Sequence, residues 1–272
     1  MFRIHHIESF ELPELQPYRT MRRQLEQRQQ GIFVAEGEKV VRRLLESNLP
    51  VLSALMPEKW ARELAPLLES RPDTVEVHIA DKKLLETLTG FSMYQGLLAI
   101  GKVPEPVPLE TLLDRAARPH LLAAADHLSS AENMGALVRN CAGFGAQALV
   151  VGETCCSPYL RRSVRNSMGT VFQLPVVETG HLVQTLQWLR ARRIKCVAAH
   201  PHAQGRKTLT QVGLDGDCCI VLGSEGYGLS QAVLEVCDEA AAIPMPPNID
   251  SLNVGSAAAV FLYEANRQRM KM

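Results

Sequence analysis

The sequence shows no excess of charge of either sign and has no cysteine in its first 140 residues. Its 29 Lys and Arg residues equal its 29 Asp and Glu residues, which argues against binding nucleic acid by bulk charge alone. All seven cysteines come later, and none forms a Cys-x-x-Cys motif. The patterns of a zinc ribbon and of a thioredoxin-like redox site are therefore absent, and we expect cysteines in apolar runs to act as small hydrophobic side chains.

Long apolar runs are also absent. No run approaches the roughly 20 residues that a membrane-spanning helix requires, and no signal-peptide pattern opens the chain. We therefore expect a cytoplasmic protein. With 272 residues and an apolar fraction of 46%, the chain is long enough and apolar enough for two folded domains.

Short apolar segments alternate with charged helical patterns along the chain. After an irregular N-terminal extension, 1–17, this alternation predicts a small α/β/α sandwich domain over 18–101. The proline-rich stretch 102–117 is typical of a linker. The alternation resumes over 118–272, where the strands are nearly all apolar, as a parallel sheet covered on both faces requires. The sequence thus predicts an α/β protein whose second domain has a mostly parallel sheet.

Three loops of the second domain carry polar or glycine-rich motifs after a predicted strand, where ligands bind in open α/β sheets. In the first loop, Ser130 or Asn133 could cap the following helix, and Arg139 lies six residues beyond Asn133. Taken alone, Arg139 has the features of an ordinary surface arginine. The first loop by itself therefore indicates a helix start and no particular chemistry.

The second loop, "GSEGYGLS", contains Gly223, Gly226 and Gly228. Glycines allow a backbone to approach a ligand closely, although a simple tight turn would also explain them. The spacing is not G-x-G-x-x-G and no GK[ST] follows, which excludes the usual dinucleotide and P-loop sites. Ser224 lacks the G-x-S-x-G context of a hydrolase nucleophile.

The third loop follows a strand that is predicted to end at Ile243. Three prolines stiffen it, and Ser251 and Asn253 stand just before a helix rich in small residues. Helix capping is the simplest interpretation of Ser251 and Asn253. The small residues would allow close approach of a ligand, of a chain crossing or of another helix.

Taken in order, the three loops closely resemble the motifs of SpoU/TrmH-type RNA ribose 2'-O-methyltransferases, which belong to the SPOUT superfamily. The matching positions are Asn133, Arg139, Gly223, Glu225, Gly226, Gly228, Leu229, Ile243, Pro244, Met245, Ser251, Leu252 and Asn253. Arg165, Ser167 and Gly169 are similar to a further R-x-S-x-G segment of that family. The resemblance covers about 118–270, and it departs from the family at Ala131-Glu132 and at Pro246-Pro247.

A weaker resemblance concerns the first domain. The segment "FVAEGEKVV" is similar to the ribosomal-protein-like RNA-binding module that precedes this catalytic domain in many rRNA methyltransferases. The resemblance implies structured RNA as the partner, with rRNA favoured over tRNA. The resemblance of the second domain to the SpoU/TrmH family also implies a homodimer and a deep trefoil knot, which is an exception among folds.

The resemblance implies S-adenosyl-L-methionine as the cofactor, bound largely by backbone groups. The candidate cofactor-binding residues are Leu222, Gly223, Ser224, Gly226, Ile243, Met245, Leu252, Ser256 and Ala257. No metal is expected, because His200 and His202 lack further ligands at a suitable spacing.

The resemblance also implies the catalytic residues, which are Arg139, Asn253, Ser251, Glu225 and Asn133. A guanidinium is essentially always protonated. We therefore expect Arg139 to hold a phosphate and to stabilise a developing 2'-alkoxide rather than to act as a base. Asn253 and Ser251 would orient the ribose, and Glu225 would anchor Arg139 or its loop.

Basic residues form clusters on this neutral chain and are candidate RNA contacts. The candidate substrate-binding residues are Arg19, Arg22 and Arg23, with Arg28 on the same predicted helix, and Arg165, Ser167 and Arg267. Arg267 could instead contact a partner subunit. Solvated helix faces would explain such clusters equally well.

Three other functions remain open at this point. The first is a SPOUT enzyme that methylates a base, the second is a tRNA ribose methyltransferase, and the third is a non-catalytic RNA-binding factor that has kept the fold. The "SLN" of the third loop and Arg139 favour ribose as the acceptor. The target nucleotide is not indicated by any motif.

Overall fold

The computed structural model describes residues 1–89, 96–200, 207–224, 226–246 and 248–270. It divides into two compact units. The first consists of 1–105 together with 159–172, and the second consists of 106–158 together with 173–272. The first unit therefore includes a segment, 159–172, from within the range predicted for the second domain.

The first unit is built on a five-stranded mixed sheet. Its strands are β1 (Phe2–His6), β2 (Ile32–Glu36), β3 (Val51–Met56), β4 (Val75–Ile79) and β5 (Leu98–Lys102), and its helices are α1 (Gln16–Arg19), α2 (Gln24–Gln29), α3 (Glu38–Glu46), α4 (Glu58–Glu69), α5 (Lys82–Thr89) and α8 (Arg161–Asn166). The strand order is β1-β4-β3-β5-β2. Strands β1, β4 and β3 are parallel, and β5 is antiparallel to both β3 and β2.

Helix α3 shows how the hydrophobic pattern of the sequence becomes packing. Its buried residues are Val40, Val41, Leu44 and Leu45, whose spacing places them on one helical face. The helix begins after Gly37, whose φ of 92° is a backbone conformation that favours glycine. The spacing of these apolar residues in the sequence predicts a helix with one buried face, and the structure confirms it.

The C-terminal end of α3 is held by Arg71, which is only 6% exposed. Its guanidinium donates to the carbonyl oxygens of Leu44, Leu45, Ser47 and Leu49, at 2.7 to 3.3 Å. It also donates to both carboxylate oxygens of Asp73, at 2.6 and 2.7 Å. Arg71 therefore satisfies carbonyl groups that the end of a helix leaves without partners.

Two features of the first unit differ from the sequence predictions. The segment 1–17 was expected to be irregular, but it contains β1, which pairs with β4. The sequence pattern predicts one basic helix over 18–30, but the structure has two helices there, and Thr20 and Met21 between them are buried. Arg22 and Arg23 consequently lie between the two helices and not on a continuous one.

The second unit is built on a seven-stranded sheet in which every strand pair is parallel. Its strands are β6 (Leu121–Ala125), β7 (Ala148–Val151), β8 (Val176–Glu178), β9 (Lys195–Ala199), β10 (Lys207–Thr208), β11 (Cys218–Leu222) and β12 (Glu239–Ala242), and its helices are α6 (Leu109–Arg115), α7 (Ala131–Gly143), α9 (Leu182–Ala191), α10 (Gln231–Val236) and α11 (Val254–Arg269). The strand order is β10-β12-β9-β11-β6-β7-β8. The predicted α/β class with a mostly parallel sheet is confirmed.

The stretch 102–117 is more than the linker that its prolines suggested. It contains α6, whose Leu109 and Leu113 are buried in the hydrophobic core of the second unit. The prolines stand ahead of this helix, and the i, i+4 spacing of the two leucines gives it an apolar face. Thr170–Phe172 forms a short 3-10 helix.

All seven cysteines are free thiols. Burial raises the pKa of the Cys141 thiol to about 12 and that of the Cys237 thiol to about 12. Because the thiolate is the reactive form, these two side chains behave as small hydrophobic groups. None of the helices in the described part of the chain is both long and apolar enough to cross a membrane.

Candidate functional site

A cavity of about 270 Å³ lies in the second unit where three neighbouring strands end. Strands β12, β9 and β11 are adjacent in the sheet, and the residues that follow each of them line the cavity. The predicted cofactor-binding residues in its wall are Leu222, Gly223, Ser224, Gly226, Ile243, Met245, Leu252 and Ala257. Ser256 does not line the cavity and is exposed on α11. The second and third loops therefore form one site.

The loop after β11 is folded tightly back on itself. Ser224 and Gly228 each donate a backbone N–H to the carbonyl oxygen of the other, at 3.1 and 2.9 Å. A Cβ atom at Gly223 would lie 2.3 Å from the backbone carbonyl of Gly228, closer than real atoms approach. Gly228 has a φ of 67°. These glycines are therefore required by the turn itself, and the alternative interpretation of a tight turn is correct for its local structure.

Asn253 connects the first and third loops. Its Oδ1 accepts the backbone N–H of Gly255 at 2.9 Å and so caps α11. Its Nδ2 donates to Oδ1 of Asn133 at 2.9 Å. Ser130, the alternative to Asn133 as the cap of α7, accepts the N–H of Asn133 at 3.3 Å. Asn253 is thus both a helix cap and the partner of a predicted catalytic residue.

Helices α7 and α11 approach each other closely beside this pair. A Cβ atom at Gly255 would lie 2.9 Å from Cβ of Ala136, and Nδ2 of Asn140 donates to the carbonyl oxygen of Gly255 at 2.6 Å. Of the three explanations considered for the small residues of α11, a partner helix fits Gly255. The close approach holds the first and third loops in a fixed relation.

Arg139 lies on α7, one turn beyond Ala136. It is exposed, is not among the residues that line the cavity, and makes no hydrogen bond or ion pair within the described parts of the chain. Ser251 is exposed and does line the cavity. Glu225 lies outside the described residues, so its predicted role stays a prediction.

The candidate RNA contacts fall into two groups. Arg19 and Arg23 are exposed and pair with Glu11 at 3.5 Å and Glu26 at 2.9 Å, and Arg22 is also exposed. Exposed ion pairs of this kind are weak, so these arginines can exchange a carboxylate for a phosphate. The guanidinium groups of this first set of residues are therefore accessible for contact with RNA phosphates.

The residues of the second group, Arg165, Ser167 and Arg267, bind other groups of the protein itself. Ser167 is fully buried, its hydroxyl donating to the carbonyl of Val164 at 2.8 Å and accepting the N–H of Gly169 at 3.2 Å. This position gives Ser167 a role in ending α8 and does not support the substrate contact that we predicted. Arg165 pairs with Glu36 at 2.7 Å. Arg267 donates twice to Glu264, at 2.7 Å each.

The motifs did not indicate every residue of the cavity wall. Ala199 at the end of β9, His200 just after it, and Asp250 and Phe261 also line it. Their positions after a strand or within the third motif were the available signals. Among the described residues, no group of three or more His, Cys, Asp or Glu side chains could hold a metal ion, and His202 lies outside them.

Comparison with known proteins gives consistent results. A model of the SpoU rRNA Methylase family matches residues 120–263. An uncharacterised tRNA/rRNA methyltransferase of Mycobacterium tuberculosis is 30% identical over 240 residues, which cover 87% of this chain and 81% of that protein. The 23S rRNA (guanosine-2'-O-)-methyltransferase RlmB of Pectobacterium atrosepticum is 32% identical over 213 residues, which cover 76% of this chain and 86% of that protein.

The fold comparison agrees with the sequence comparison. The SpoU methyltransferase AviRb from Streptomyces viridochromogenes, solved in complex with AdoMet, is similar with a TM-score of 0.80 and 26% identity. The similarity covers 96% of this chain and 100% of that chain. The family match spans the cavity, the glycine turn and the Asn133–Asn253 contact. This chain belongs to the SpoU rRNA methylase family.

Proposed function

We propose that this protein transfers the methyl group of S-adenosyl-L-methionine to the 2'-hydroxyl of a ribose in rRNA. The observation that carries the proposal is the cavity at the ends of β9, β11 and β12, whose wall is made by the second and third motifs. The Asn133–Asn253 hydrogen bond connects the first motif to the third. Family membership and the named activity of the similar RlmB protein support the same chemistry.

The residues of the cavity fit S-adenosyl-L-methionine. Leu222, Ile243, Leu252 and Phe261 give the wall an apolar character that suits an adenine ring. A Cβ atom at Gly226 would meet open space, so the glycine turn leaves backbone groups accessible beside the cavity. When bound, the cofactor supplies a methyl group that is activated by a positively charged sulfur. The protein has to bind it, orient the ribose and assist loss of the hydroxyl proton.

Within this proposal the polar residues hold the acceptor ribose. Ser251 is exposed in the cavity wall and can hydrogen-bond a ribose hydroxyl. Asn253 fixes Asn133 and the start of α11. Arg139, which stays protonated, would hold the adjacent phosphate and stabilise negative charge on the 2'-oxygen. Glu225 would anchor Arg139 or the glycine turn.

We further propose that the active enzyme is a homodimer. Arg139 is exposed and lies outside the cavity wall of its own chain, which suggests that a second copy completes the site. The trefoil knot implied by the resemblance is part of the same proposal. We also propose that the protein works in the cytoplasm and without a metal ion.

The exposed Arg19, Arg22, Arg23 and Arg28 of the first unit would contact RNA phosphates. We favour rRNA over tRNA, because RlmB is named for 23S rRNA. A tRNA target or a base-methylating activity is the second candidate. The exposed Ser251 and the Asn253–Asn133 pair favour a sugar as the acceptor over a base.

The test incubates the full chain with radiolabelled S-adenosyl-L-methionine and unmodified transcripts of 23S rRNA or tRNA. We expect label in 23S rRNA and one phosphodiester bond that resists alkaline cleavage, because a methylated 2'-hydroxyl cannot attack it. If digestion to nucleosides shows the label in a base, the protein methylates a base and the proposal of ribose methylation is wrong. A folded protein that binds the cofactor but labels no transcript would contradict the proposal.

A further inference from the structure

Tyr227 lies at the tip of the glycine turn and lines the cavity. It is 91% exposed, more than any other aromatic side chain in the described part of the chain. Aromatic residues make up only 5% of the sequence. An almost fully solvated aromatic ring at the edge of a functional cavity is a candidate contact for a ligand that approaches from solvent.

The turn holds Tyr227 in a defined place. Its backbone N–H donates to Oγ of Ser224 at 3.2 Å, and the paired hydrogen bonds between Ser224 and Gly228 close the loop around it. A ring presented on a closed turn loses little backbone freedom when it binds. The backbone of Tyr227 is therefore positioned before any ligand arrives.

The exposure of the ring also indicates which ligand it meets. The cavity already has apolar side chains from Leu222, Ile243 and Phe261, and a ring that is 91% exposed does not fill it. Tyr227 consequently lies on the solvent side of the cavity. Leu252, which is 37% exposed, adds a partly exposed apolar side chain to the cavity wall.

We propose that Tyr227 stacks on a nucleobase of the substrate, at or next to the nucleotide whose ribose is methylated. Proteins recognise unstacked RNA bases by stacking them on aromatic side chains, and this contact suits any base because every base has an aromatic face. The stacked base would hold its ribose at the mouth of the cavity, within reach of Ser251. The inference rests on the proposed function, because it requires RNA as the substrate.

The test compares Tyr227→Ala, Tyr227→Leu and Tyr227→Phe in the full chain. Affinity for an unmodified 23S rRNA transcript is measured by filter binding with S-adenosylhomocysteine present, and KM and kcat are measured by methyl transfer. We expect Ala and Leu to raise Kd and KM for RNA about ten-fold or more. Phe should stay within about two-fold of wild type, because it keeps the aromatic face. Affinity for S-adenosyl-L-methionine should not change.

Tyr263→Ala is the matched control, because Tyr263 is also exposed but does not line the cavity. A weaker affinity of Tyr227→Ala for the cofactor would assign the ring to adenine and overturn the proposal. A change in the molecular mass of Tyr227→Ala in solution would assign the ring to a subunit contact. If Tyr227→Leu binds RNA as tightly as Tyr227→Phe does, Tyr227 makes a simple apolar contact and does not stack on a base. The binding measurement decides the question even if wild type transfers no methyl group, a result that would contradict only the proposed function.

Discussion

Arg71 in the first unit and Arg139 in the second carry the same side chain in opposite surroundings. Arg71 is 6% exposed, and its donors are used by four carbonyl oxygens and the carboxylate of Asp73. Arg139 is exposed, and the described residues offer it no partner. A guanidinium that is fully hydrogen-bonded inside the protein stabilises the fold, whereas one left in solvent beside a site is available to bind a substrate. Four experiments test this contrast.

The largest effect is expected from Arg71→Met. Removing the guanidinium leaves Asp73 and several carbonyl oxygens without their partner, so the free energy of unfolding should fall by about 3–5 kcal/mol. Urea denaturation measures it. Arg62→Met is the control, because Arg62 pairs with Glu58 at the surface and its loss should cost at most about 0.5 kcal/mol. If Arg71→Met and Arg62→Met lower the free energy of unfolding equally, Arg71 does not have the structural role inferred for it.

Arg139→Ala should show the reverse behaviour. We expect the rate of methyl transfer to fall about 10²–10³-fold, the usual loss of a group that stabilises a developing oxyanion. The unfolding free energy and the affinity for the cofactor should not change. Arg139→Lys should not restore the rate, because lysine lacks the planar fork that binds two phosphate oxygens. Single-turnover rates at saturating substrates measure this.

Arg115→Ala is the control for that experiment, because Arg115 is another exposed arginine of the second unit, on α6. It should leave the rate unchanged. If Arg139→Ala reacts at nearly the wild-type rate, Arg139 is a surface arginine, and the contrast with Arg71 has no functional meaning.

The side chain of Asn253 both caps α11 and contacts Asn133, so substitutions there can separate an effect on stability from an effect on the rate. Asn253→Ala removes the cap of α11 and should lower the free energy of unfolding by about 0.5–2 kcal/mol, with a smaller loss of rate than Arg139→Ala. Asn253→Asp keeps the capping oxygen but loses the donor to Asn133. We expect it to recover the stability and not the rate. Recovery of both would show that the contact with Asn133 has no catalytic consequence.

The smallest effect is expected from pH. Burial raises the pKa of Asp73, but hydrogen bonds from Arg71 and from the N–H of Val51 outweigh burial, so the pKa is lowered below its ordinary value of 3.8. A carboxyl with a lowered pKa in the folded state stabilises the protein above the unfolded pKa. That contribution is lost as the pH falls through the folded pKa.

The difference in unfolding free energy between wild type and Arg71→Met should therefore narrow below pH 3.8. Urea denaturation at a series of acidic pH values measures it. A constant difference across the series would mean that the contact between Arg71 and Asp73 does not depend on the carboxylate charge.

The sequence predicted the elements whose hydrophobic pattern is strong. The apolar face of α3 and the buried strand β6 are examples. Strand β1 was not predicted, because its letters "FRIHH" are mostly polar and four of its five residues are exposed at a sheet edge. Helix α6 was not predicted, because the prolines that precede it are typical of a linker, although the i, i+4 spacing of Leu109 and Leu113 is that of a helix with one apolar face.

The site shows the same division. Gly223 and Leu252 lie in the cavity wall, in loops that follow β11 and β12 with β9 between these strands, and both were singled out by the motifs. Ala199 was not, because an alanine carries no chemical signal and its place depends on the strand order. Ser167 matched a family motif, and only its burial shows that its hydroxyl is used within the turn that ends α8.

The strand lengths at the two edges of the seven-stranded sheet bear on assembly. As far as the described residues extend, β10 contains two residues and β8 contains three. Such short edges offer few unpaired backbone groups, a known protection against sheet-to-sheet aggregation. Two copies of the second unit are therefore poorly suited to join into one continuous sheet. A homodimer built on the second unit would have to form through helices and loops, the kinds of element that carry Arg139 and the mouth of the cavity.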